Sequence, residues 1–427
     1  MRVLISGAGI AGPTLAYWLS RCGAQITVVE KSQHFLAQGQ NIDVKGPSLT
    51  ILNKMGVMDQ IRRWHTGEKG AQFIDANGKP FAEFPLTEHG ISPTAENEIL
   101  RGDLAEVLYS ATKTDPNVRY IFNTTILEVL ANNEDLVKVK FSDESVHEFD
   151  IAVAADGQWS KLRRLCFPPK EVEVVDKNMY VTYFTVPRIE SDNDLWNIYC
   201  ALDSRIITTR PDPHGTYRAM FSLMPSTSAQ KKIWDDAARS DRKTQQELLR
   251  SEFADAGWQA RRLLDAMDQA PDFYMHPLQQ IKMSRWFSSR VVCIGDAAHA
   301  PTPLTGMGTP LSIMGAYVLA GEISELKPGE RPSIAFKAYE RLFHPFTDEV
   351  QQIPWFVPAV AHPAVAWKRW ILQTTLATVA KIVAIPWVAN KVQIGDPEAD
   401  DSGFKMPFYS KFATIRHPCR IKLSNCM

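Results

Sequence analysis

The sequence has no excess of charge of either sign. Its 47 lysines and arginines nearly balance its 48 aspartates and glutamates, giving a formal net charge of -1, and its basic clusters are as short as the pair Arg261-Arg262. A nucleic-acid partner requires a basic stripe or patch, so the composition gives no case for one. With 45% hydrophobic and 22% charged residues, the composition excludes a disordered or fibrous chain.

Cysteine is scarce and scattered. The six cysteines form neither a CxxC pair nor a CxxC…HxxxH spacing, so they indicate neither a zinc site nor a disulfide framework. We therefore expect no bound metal and a reducing, cytoplasmic location. The cysteines are Cys22, Cys166, Cys200, Cys293, Cys419 and Cys426.

Long hydrophobic runs are also missing. A membrane-spanning helix needs about 18 or more consecutive apolar residues, and the most apolar stretch, residues 371–389, is interrupted by Gln373 and Lys381. We expect no spanning helix. The apolar residues after Met1-Arg2 resemble the start of a secretory signal, but the following pattern explains the same residues more specifically.

Residues 1–30 alternate between strand and helix patterns. Apolar residues 3–5 predict a strand, residues 15–19 predict a helix that ends near Gly23, and β-branched residues 26–29 predict a second strand that ends at Glu30. Such a unit requires a right-handed crossover and a parallel sheet covered by helices, which is an α/β fold. A chain of 427 residues corresponds to two or three domains of about 150 residues each.

A second region has the pattern of an antiparallel sheet. Its β-rich stretches cover residues 180–186, 196–202, 205–209 and 216–224, with a strong turn signal at residues 211–215. Further helices are predicted over residues 97–110, 229–268 and 310–325, β-rich stretches over 126–141 and 148–154, and a buried strand over 289–295. The Pro- and Trp-rich C-terminal region is predicted to be helical.

Gly7, Gly9 and Gly12 form a GxGxxG motif between the first strand and the first helix. The first glycine permits a tight turn, the second allows the backbone to approach a pyrophosphate, and the third allows close packing of helix and strand. Glu30 lies at the end of the second strand, where an acidic side chain accepts the hydroxyls of an adenosine ribose. These residues predict a dinucleotide site.

A second motif lies far downstream. Asp296 follows the predicted buried strand, and Pro303, Gly306, Gly308 and Thr309 lead into the next helix. Glycines and a helix N-terminus at this point offer backbone N–H groups and positive dipole to a ligand that gains negative charge. A reduced flavin has that property, and an ordinary nicotinamide dehydrogenase does not require it. Taken alone, Gly295-Asp296 is equally consistent with a turn after a strand.

A third motif joins Asp156-Gly157 to Ser160 and Arg163, although an Asp-Gly pair alone is usually a turn. Together the three motifs resemble those of the single-component flavin monooxygenases of the para-hydroxybenzoate hydroxylase type. Within that group the tetracycline-inactivating monooxygenases are most similar, and the resemblance covers about residues 1–345. It implies a Rossmann-like FAD-binding domain, an antiparallel-sheet substrate domain and a C-terminal helical region.

The resemblance implies domain boundaries and site residues. The FAD-binding domain would comprise residues 1–70, 97–170 and 281–345, the substrate domain residues 71–96 and 171–280, and the C-terminal helical region residues 346–427. The implied FAD contacts are Gly7, Gly9 and Gly12 at the pyrophosphate, Glu30 and Lys31 at the adenosine, Asp43, Arg101, Asp156, Gly157, Asp296 at the ribityl chain, and Pro303, Gly306, Gly308 and Thr309 at the isoalloxazine. Ser160 and Arg163 would be associated with NAD(P)H.

The implied activity is that of a monooxygenase with non-covalent FAD, using NAD(P)H, preferably NADPH, and dioxygen. It would hydroxylate or epoxidise an electron-rich aromatic, phenolic or polyketide-like small molecule, as in secondary metabolism, through a flavin C4a-hydroperoxide. A Baeyer-Villiger outcome, the oligomeric state and the catalytic base stay open, and we interpret His299 as shaping its loop. Arg205, Arg210, Tyr183, Tyr199 and Tyr217 are candidate substrate contacts whose orientation depends on strand register.

Two alternatives are weighed against this activity. A flavin-dependent halogenase shares the fold but needs a lysine and a WxWxIP-like segment, which residues 353–355 and 385–387 do not provide. A flavin-binding escort or regulatory protein would not turn over, and such a protein seldom needs the whole nicotinamide-associated motif. Substrate-stimulated consumption of NADPH distinguishes the three.

Overall fold

The computed structural model describes residues 1–33, 39–86, 97–354, 356–384 and 403–413. The strands are β1 (Arg2–Ser6), β2 (Gln25–Val29), β3 (Asn41–Asp43), β4 (Gly70–Ile74), β5 (Pro80–Pro85), β6 (Glu98–Leu100), β7 (Val118–Ile121), β8 (Ile126–Asn132), β9 (Val137–Phe141), β10 (Val146–Phe149), β11 (Ile151–Ala154), β12 (Val172–Pro187), β13 (Trp196–Ala201), β14 (Arg205–Pro211), β15 (Thr216–Leu223), β16 (Tyr274–Met283), β17 (Phe287–Ser288) and β18 (Val291–Cys293). The helices are α1 (Ala11–Ser20), α2 (Pro47–Met55), α3 (Met58–Arg63), α4 (Arg101–Ser110), α5 (Lys161–Cys166), α6 (Ser228–Ala238), α7 (Arg242–Phe253), α8 (Ala260–Ala266), α9 (Asp296–His299), α10 (Gly308–Ser324), α11 (Pro332–Val350), α12 (Val357–Ala361), α13 (Ala366–Val383) and α14 (Ser410–Ala413).

A mainly parallel sheet forms the centre of the first half of the fold. Its strand order is β17-β18-β11-β1-β2-β7, and only the edge strand β17 pairs in antiparallel fashion. Its inner strands are continuous apolar runs because helices bury both of their faces. Trp18 of α1 and Tyr317 of α10 pack edge to face with ring centroids 5.0 Å apart.

A larger sheet forms the second half, in the order β16-β12-β15-β14-β13-β4-β5. Its pairs are antiparallel except β13 with β4, which run parallel. One face packs its alternate side chains against α6, α7 and α8 in a single buried cluster. The α/β class, the antiparallel sheet and the helical C-terminal region are confirmed.

Two strand and helix predictions need correction. Residues 97–110 are not one helix, because Glu98–Leu100 pairs with Asn41–Asp43 as β6 and α4 begins only at Arg101. Tertiary pairing here overrides the helical spacing of the apolar residues. Residues 229–268 form three helices, with Asp241 capping α7 by accepting the Thr244 N–H at 2.9 Å.

The C-terminal elements return to both sheets. Leu372 of α13 packs beside Ile198 and Ile206 of the antiparallel sheet, whereas Phe412 of α14 packs against Trp18 at 4.7 Å between ring centroids. Across the described ranges, no helix combines the length and hydropathy needed to cross a bilayer. The domain boundaries given above stay a prediction. Trp355 and residues 385–387, which were compared with the WxWxIP-like segment of halogenases, lie outside the described residues.

Candidate functional site

The glycine-rich loop lies at the carboxyl edge of the parallel sheet, between β1 and α1. Gly7 has φ +109°, and a Cβ added there would lie 2.5 Å from the Ala155 carbonyl oxygen, so Gly7 lets the ends of β1 and β11 meet. A Cβ at Gly12 would overlap the Gly7 carbonyl oxygen. By contrast, a Cβ at Gly9 would meet no atom within 4 Å. Two of the glycines are therefore required by packing, and the third borders open space where a ligand backbone could approach.

Glu30 closes one side of this loop. Its carboxylate accepts the N–H of Ala8 at 2.9 Å and of Ser32 at 3.0 Å, which fixes the acidic group beside the glycines at the end of β2. Each carboxylate oxygen retains a further lone pair for a ligand hydroxyl. The next residue, Lys31, has an exposed side chain.

The Asp-Gly motif forms the start of α5. The Asp156 carboxylate accepts the N–H of Lys161 at 2.8 Å and the hydroxyl of Ser160. Ser160 in turn caps the helix by accepting the Arg163 N–H at 3.0 Å. Gly157 has φ +82° and room for a Cβ. The side chains of Asp156 and Ser160 therefore form hydrogen bonds that stabilise this turn.

Arg163 connects the Asp-Gly motif with the Asp296 segment. The residue is 3% exposed, and its guanidinium donates to the Ala297 carbonyl at 2.7 Å and to the Gln158 carbonyl at 2.8 Å. Burial lowers its pKa. This arginine positions two segments of the backbone, a role that its spacing in the sequence did not indicate.

Asp296 is the first residue of α9 and follows Gly295, whose φ is +57°. Its carboxylate has no hydrogen-bond partner within the described chain, and burial raises its pKa while the Arg101 guanidinium opposes the shift. A Cβ at Gly308 would lie 4.0 Å from Asp296 Oδ1, so this carboxylate faces the first turn of α10. A half-buried acceptor without a protein donor is suited to the hydroxyl groups of a ligand.

The loop before α10 completes this edge. Gly306 has φ +62°, and a Cβ there would lie 3.2 Å from Lys45 Nζ. Pro303 is exposed in the preceding 3₁₀ turn, and Thr309 is half-buried in the first turn of α10. Lys45 was missed in the sequence, although its position two residues after Asp43 was a usable signal. It adds a cation to the helix N-terminus.

The segment that contains Asp43 also reaches the second sheet. A Cβ at Gly39 would lie 2.7 Å from Arg101 Cβ, and the Arg101 N–H donates to the Gln40 carbonyl at 3.0 Å. The side chain of Asp43 is half-buried, and its charge acts on Glu68 and Arg210 of the antiparallel sheet. Thus Arg101 and Asp43 lie between the two sheets.

Strand register separates the five candidate substrate contacts. Three point to the helix-covered face: Tyr199 donates to the Ala256 carbonyl at 2.7 Å, Tyr217 donates to the Asn193 carbonyl at 2.8 Å, and Arg205 donates to Asp255 at 2.6 Å. Tyr183 and Arg210 point to the opposite face. Tyr183 lies 5.2 Å from Tyr274, between ring centroids, beside His276.

Arg210 belongs to a buried charge cluster that the sequence did not reveal. It donates from Nε and Nη2 to both Glu68 oxygens at 2.8 and 2.7 Å, and from Nη2 also to Glu98. The carboxylates are 3% and 1% exposed. Burial raises the pKa of Glu68 to about 7 against the opposing effect of Arg210. Within the described chain, Nη1 of Arg210 has no acceptor.

His299 lies in the core. The residue is 2% exposed, its ring packs 4.9 Å from Trp286 between centroids, and neither ring nitrogen has a partner within the described chain. Burial lowers its pKa to about 3. A neutral, enclosed imidazole of this kind packs the segment after Asp296, as we expect from the sequence.

Comparison with known proteins adds independent findings. Residues 1–353 match the family described as FAD binding domain. A flavin-dependent monooxygenase from an unknown prokaryotic organism is 34% identical over 82% of this chain and 87% of its own. Monooxygenase CTB7 of Cercospora beticola is also 34% identical, over 87% and 90%. Tetracycline destructase Tet(55) has a similar structure, with a TM-score of 0.73 and 27% identity over 93% of this chain and 98% of that chain.

Proposed function

Since the chain belongs to the FAD-binding domain family, among its flavin-dependent monooxygenases, we propose that it uses NAD(P)H and dioxygen to oxygenate a small molecule. The substrate class that we propose is an electron-rich aromatic, phenolic or polyketide-like compound, and the outcome is hydroxylation or epoxidation. The observation that supports this most directly is the meeting of three distant motifs at one edge of the parallel sheet, where Gly9 borders open space and the Asp296 carboxylate has no partner within the described chain.

The residues at this edge fit FAD. Open space at Gly9 suits a pyrophosphate, Glu30 and the partnerless Asp296 suit ribose and ribityl hydroxyls, and the first turn of α10 suits the flavin ring. When bound, FAD accepts two electrons from NAD(P)H and activates dioxygen. The remaining proposed contacts are Gly7, Gly12, Lys31, Asp43, Arg101, Asp156, Gly157, Pro303, Gly306, Gly308 and Thr309.

The protein's task at the ring is to stabilise negative charge. The N–H groups at the start of α10 and the Lys45 ammonium, close to Gly306, favour an anionic ligand at that point. Lys45 therefore joins the proposed contacts. We assign Ser160 and Arg163 to positioning the backbone of the NAD(P)H-associated motif, because the Ser160 hydroxyl and both terminal guanidinium nitrogens of Arg163 are hydrogen-bonded within the protein.

Substrate would lie between the flavin edge and the face of the antiparallel sheet that carries Arg210 and Tyr183. Arg210 Nη1 offers a donor to a phenolic or enolic oxygen there, and Glu68, whose pKa burial raises to about 7, can take up or release a proton beside it. Tyr183, Tyr274 and His276 provide an aromatic wall. NADPH rather than NADH, and a cytoplasmic location, are parts of this proposal.

The test is a turnover assay on purified protein loaded with FAD. NADPH oxidation should accelerate on addition of phenolic or polyketide-like compounds, and labelled dioxygen should place one oxygen atom in the product. A yellow protein that oxidises no NADPH with any compound would support the escort alternative. Halide-dependent product without incorporated oxygen would support the halogenase.

A further inference from the structure

Helix α13 has apolar side chains on both of its faces. Its inner face packs Leu372, Leu376 and Ala380 against the antiparallel sheet and β5. Its outer face exposes Trp367 by 61% and Trp370 by 66%. Thr378 and Lys381 are also exposed on this helix, so its outer surface combines polar side chains with large apolar ones that gain free energy on leaving water.

The exposed residues cluster at the end of α12 and the start of α13. We define the outer patch as Val360, Val365, Trp367, Trp370 and Ile371, which are 43% to 66% exposed. Trp367, Trp370 and Ile371 are neighbours on one helix face because they are three and four residues apart. Single exposed apolar residues are ordinary on protein surfaces, but a cluster with two tryptophans indicates an interaction site.

The segment that carries the patch has charges of one sign, and its acidic neighbour Asp203, whose N–H donates to the Ala364 carbonyl at 3.1 Å, pairs its carboxylate with Arg205. No aspartate or glutamate occurs in residues 350–395, whereas Lys368 and Lys381 are exposed on α13. The Lys368 ammonium lies 5.7 Å from the centroid of the Trp367 ring. Tryptophan with lysine on an apolar helix is the side-chain combination found where proteins meet the headgroup region of a bilayer.

We propose that the outer patch binds the surface of a membrane that contains anionic lipids, with α13 lying parallel to the bilayer. Trp367, Trp370 and Ile371 enter the headgroup boundary, and Lys368 and Lys381 attract the lipid phosphates and carboxylates. A second copy of this chain fits less well. A symmetric dimer contact would bring the same basic segment of each copy together. Residues 350–395 contain no acidic residue that could neutralise the facing lysines.

The experiment is co-sedimentation of the full-length, FAD-loaded protein with phosphatidylcholine vesicles, with and without phosphatidylserine. Wild type should sediment with the phosphatidylserine vesicles and be released by salt. Trp367→Ser with Trp370→Ser should lower the partition coefficient about tenfold, and Lys368→Glu with Lys381→Glu by about fivefold for each lysine.

Matched controls lie on other surfaces. Ile233→Ser removes an apolar side chain from α6 that is 53% exposed, and Lys243→Glu reverses an exposed lysine of α7; both should leave vesicle binding unchanged. Flavin content and circular dichroism establish that each variant is folded. If the tryptophan variant does not fold, the variant Lys368→Glu with Lys381→Glu tests the proposal by itself.

Three outcomes would overturn the proposal. The first is the absence of wild-type binding to anionic vesicles, and the second is equal binding by the patch and control variants. The third is light scattering that shows a dimer which Trp367→Ser with Trp370→Ser dissociates, since a second copy would then cover the patch. None of these outcomes bears on oxygenation, which is assayed without vesicles.

Discussion

The two large sheets contribute to the site in different ways. The parallel sheet offers mainly backbone: three glycines, a helix N-terminus and one carboxylate, Asp296, that has no partner within the described chain. The antiparallel sheet offers side chains that are already paired with one another, such as Arg210 with Glu68. The first arrangement suits a constant ligand with phosphates and ribose, and the second allows a variable substrate to be selected by changing side chains.

This difference predicts how each side responds to substitution. Adding even one carbon to the backbone-lined edge must disturb either packing or ligand approach. Changing a charge on the antiparallel sheet must instead alter the balance among neighbouring side chains, with effects that depend on pH.

The largest effect should come from the packed glycine of the motif. Gly12→Ala would place a methyl group on the Gly7 carbonyl oxygen, so α1 and β1 must separate. We expect melting temperature to fall by several degrees and FAD to be lost during purification, because overpacking of this kind costs about 1–3 kcal/mol or more. Differential scanning fluorimetry and absorbance of the bound flavin measure both.

Gly9→Ala is the matched control. No protein atom lies within 4 Å of the added methyl group, so the apoprotein should melt at the wild-type temperature while FAD affinity falls. If both alanine variants lower the melting temperature of the apoprotein equally, the distinction between a packed and a ligand-facing glycine is wrong.

Asp296 should have the next largest effect, confined to the ligand. Asp296→Ala removes a charged acceptor worth on the order of 1.5–3 kcal/mol of hydrogen bonding, so FAD affinity should fall about ten- to a hundredfold. The apoprotein should not become less stable, because the carboxylate has no protein partner to lose. Flavin titration followed by fluorescence measures the affinity. Asp59→Ala, at a side chain that is 87% exposed, should leave it unchanged, and unchanged affinity in Asp296→Ala would contradict the assignment.

The backbone-lined edge could be predicted from the sequence because its requirements are local. Gly7, Gly9 and Gly12 are needed wherever a strand turns into a helix over a phosphate, and Asp296 follows its strand directly. Their meeting at one edge follows from the parallel connections. Lys45 was missed because the distance from its ammonium to Gly306 depends on how the β3 segment folds back, which no short motif specifies.

The antiparallel side could be predicted only as strands. Arg205 and Arg210 lie on the same strand β14 but point to opposite faces, because they are five positions apart and successive side chains alternate between faces. Glu68 contacts Arg210 from 142 residues away, and such a long-range pair has no signal in one sequence. The same limitation explains why residues 98–100 were predicted as helix, since their pairing with β3 is a tertiary contact.

Lys45 is a charged side chain at the edge of the parallel sheet, which otherwise contributes mainly backbone groups to the site. Lys45→Met removes a cation close to the proposed position of the flavin ring, which gains negative charge on reduction. We expect the midpoint potential of the bound flavin to fall on the order of tens of millivolts. Lys69→Met, which removes a lysine that is 73% exposed and pairs with Asp194 on the surface, should not shift it. Equal potentials in wild type and Lys45→Met would place the ring elsewhere.

The effect at Glu68 should appear only as a change of stability with pH, on the antiparallel side of the site. Burial raises the pKa of this carboxyl from 4.5 to about 7, so the folded chain holds a proton that the unfolded chain releases between those values. The stability contributed by the neutral carboxyl is therefore complete below about pH 4.5 and is lost as pH rises toward about 7. Glu68→Gln has no proton to lose.

Glu68→Gln should be less stable than wild type at about pH 5, because the amide cannot accept both Arg210 hydrogen bonds, and the difference should shrink toward about pH 8 as wild type loses stability. Urea unfolding at the two pH values measures this change. Glu148→Gln, which breaks an exposed pair with Lys138, should show a small difference from wild type at both. A Glu68→Gln deficit that grows with pH would mean that the folded protein stabilises the charged carboxylate, and the Arg210 cluster would then be a permanent ion pair with no proton to exchange.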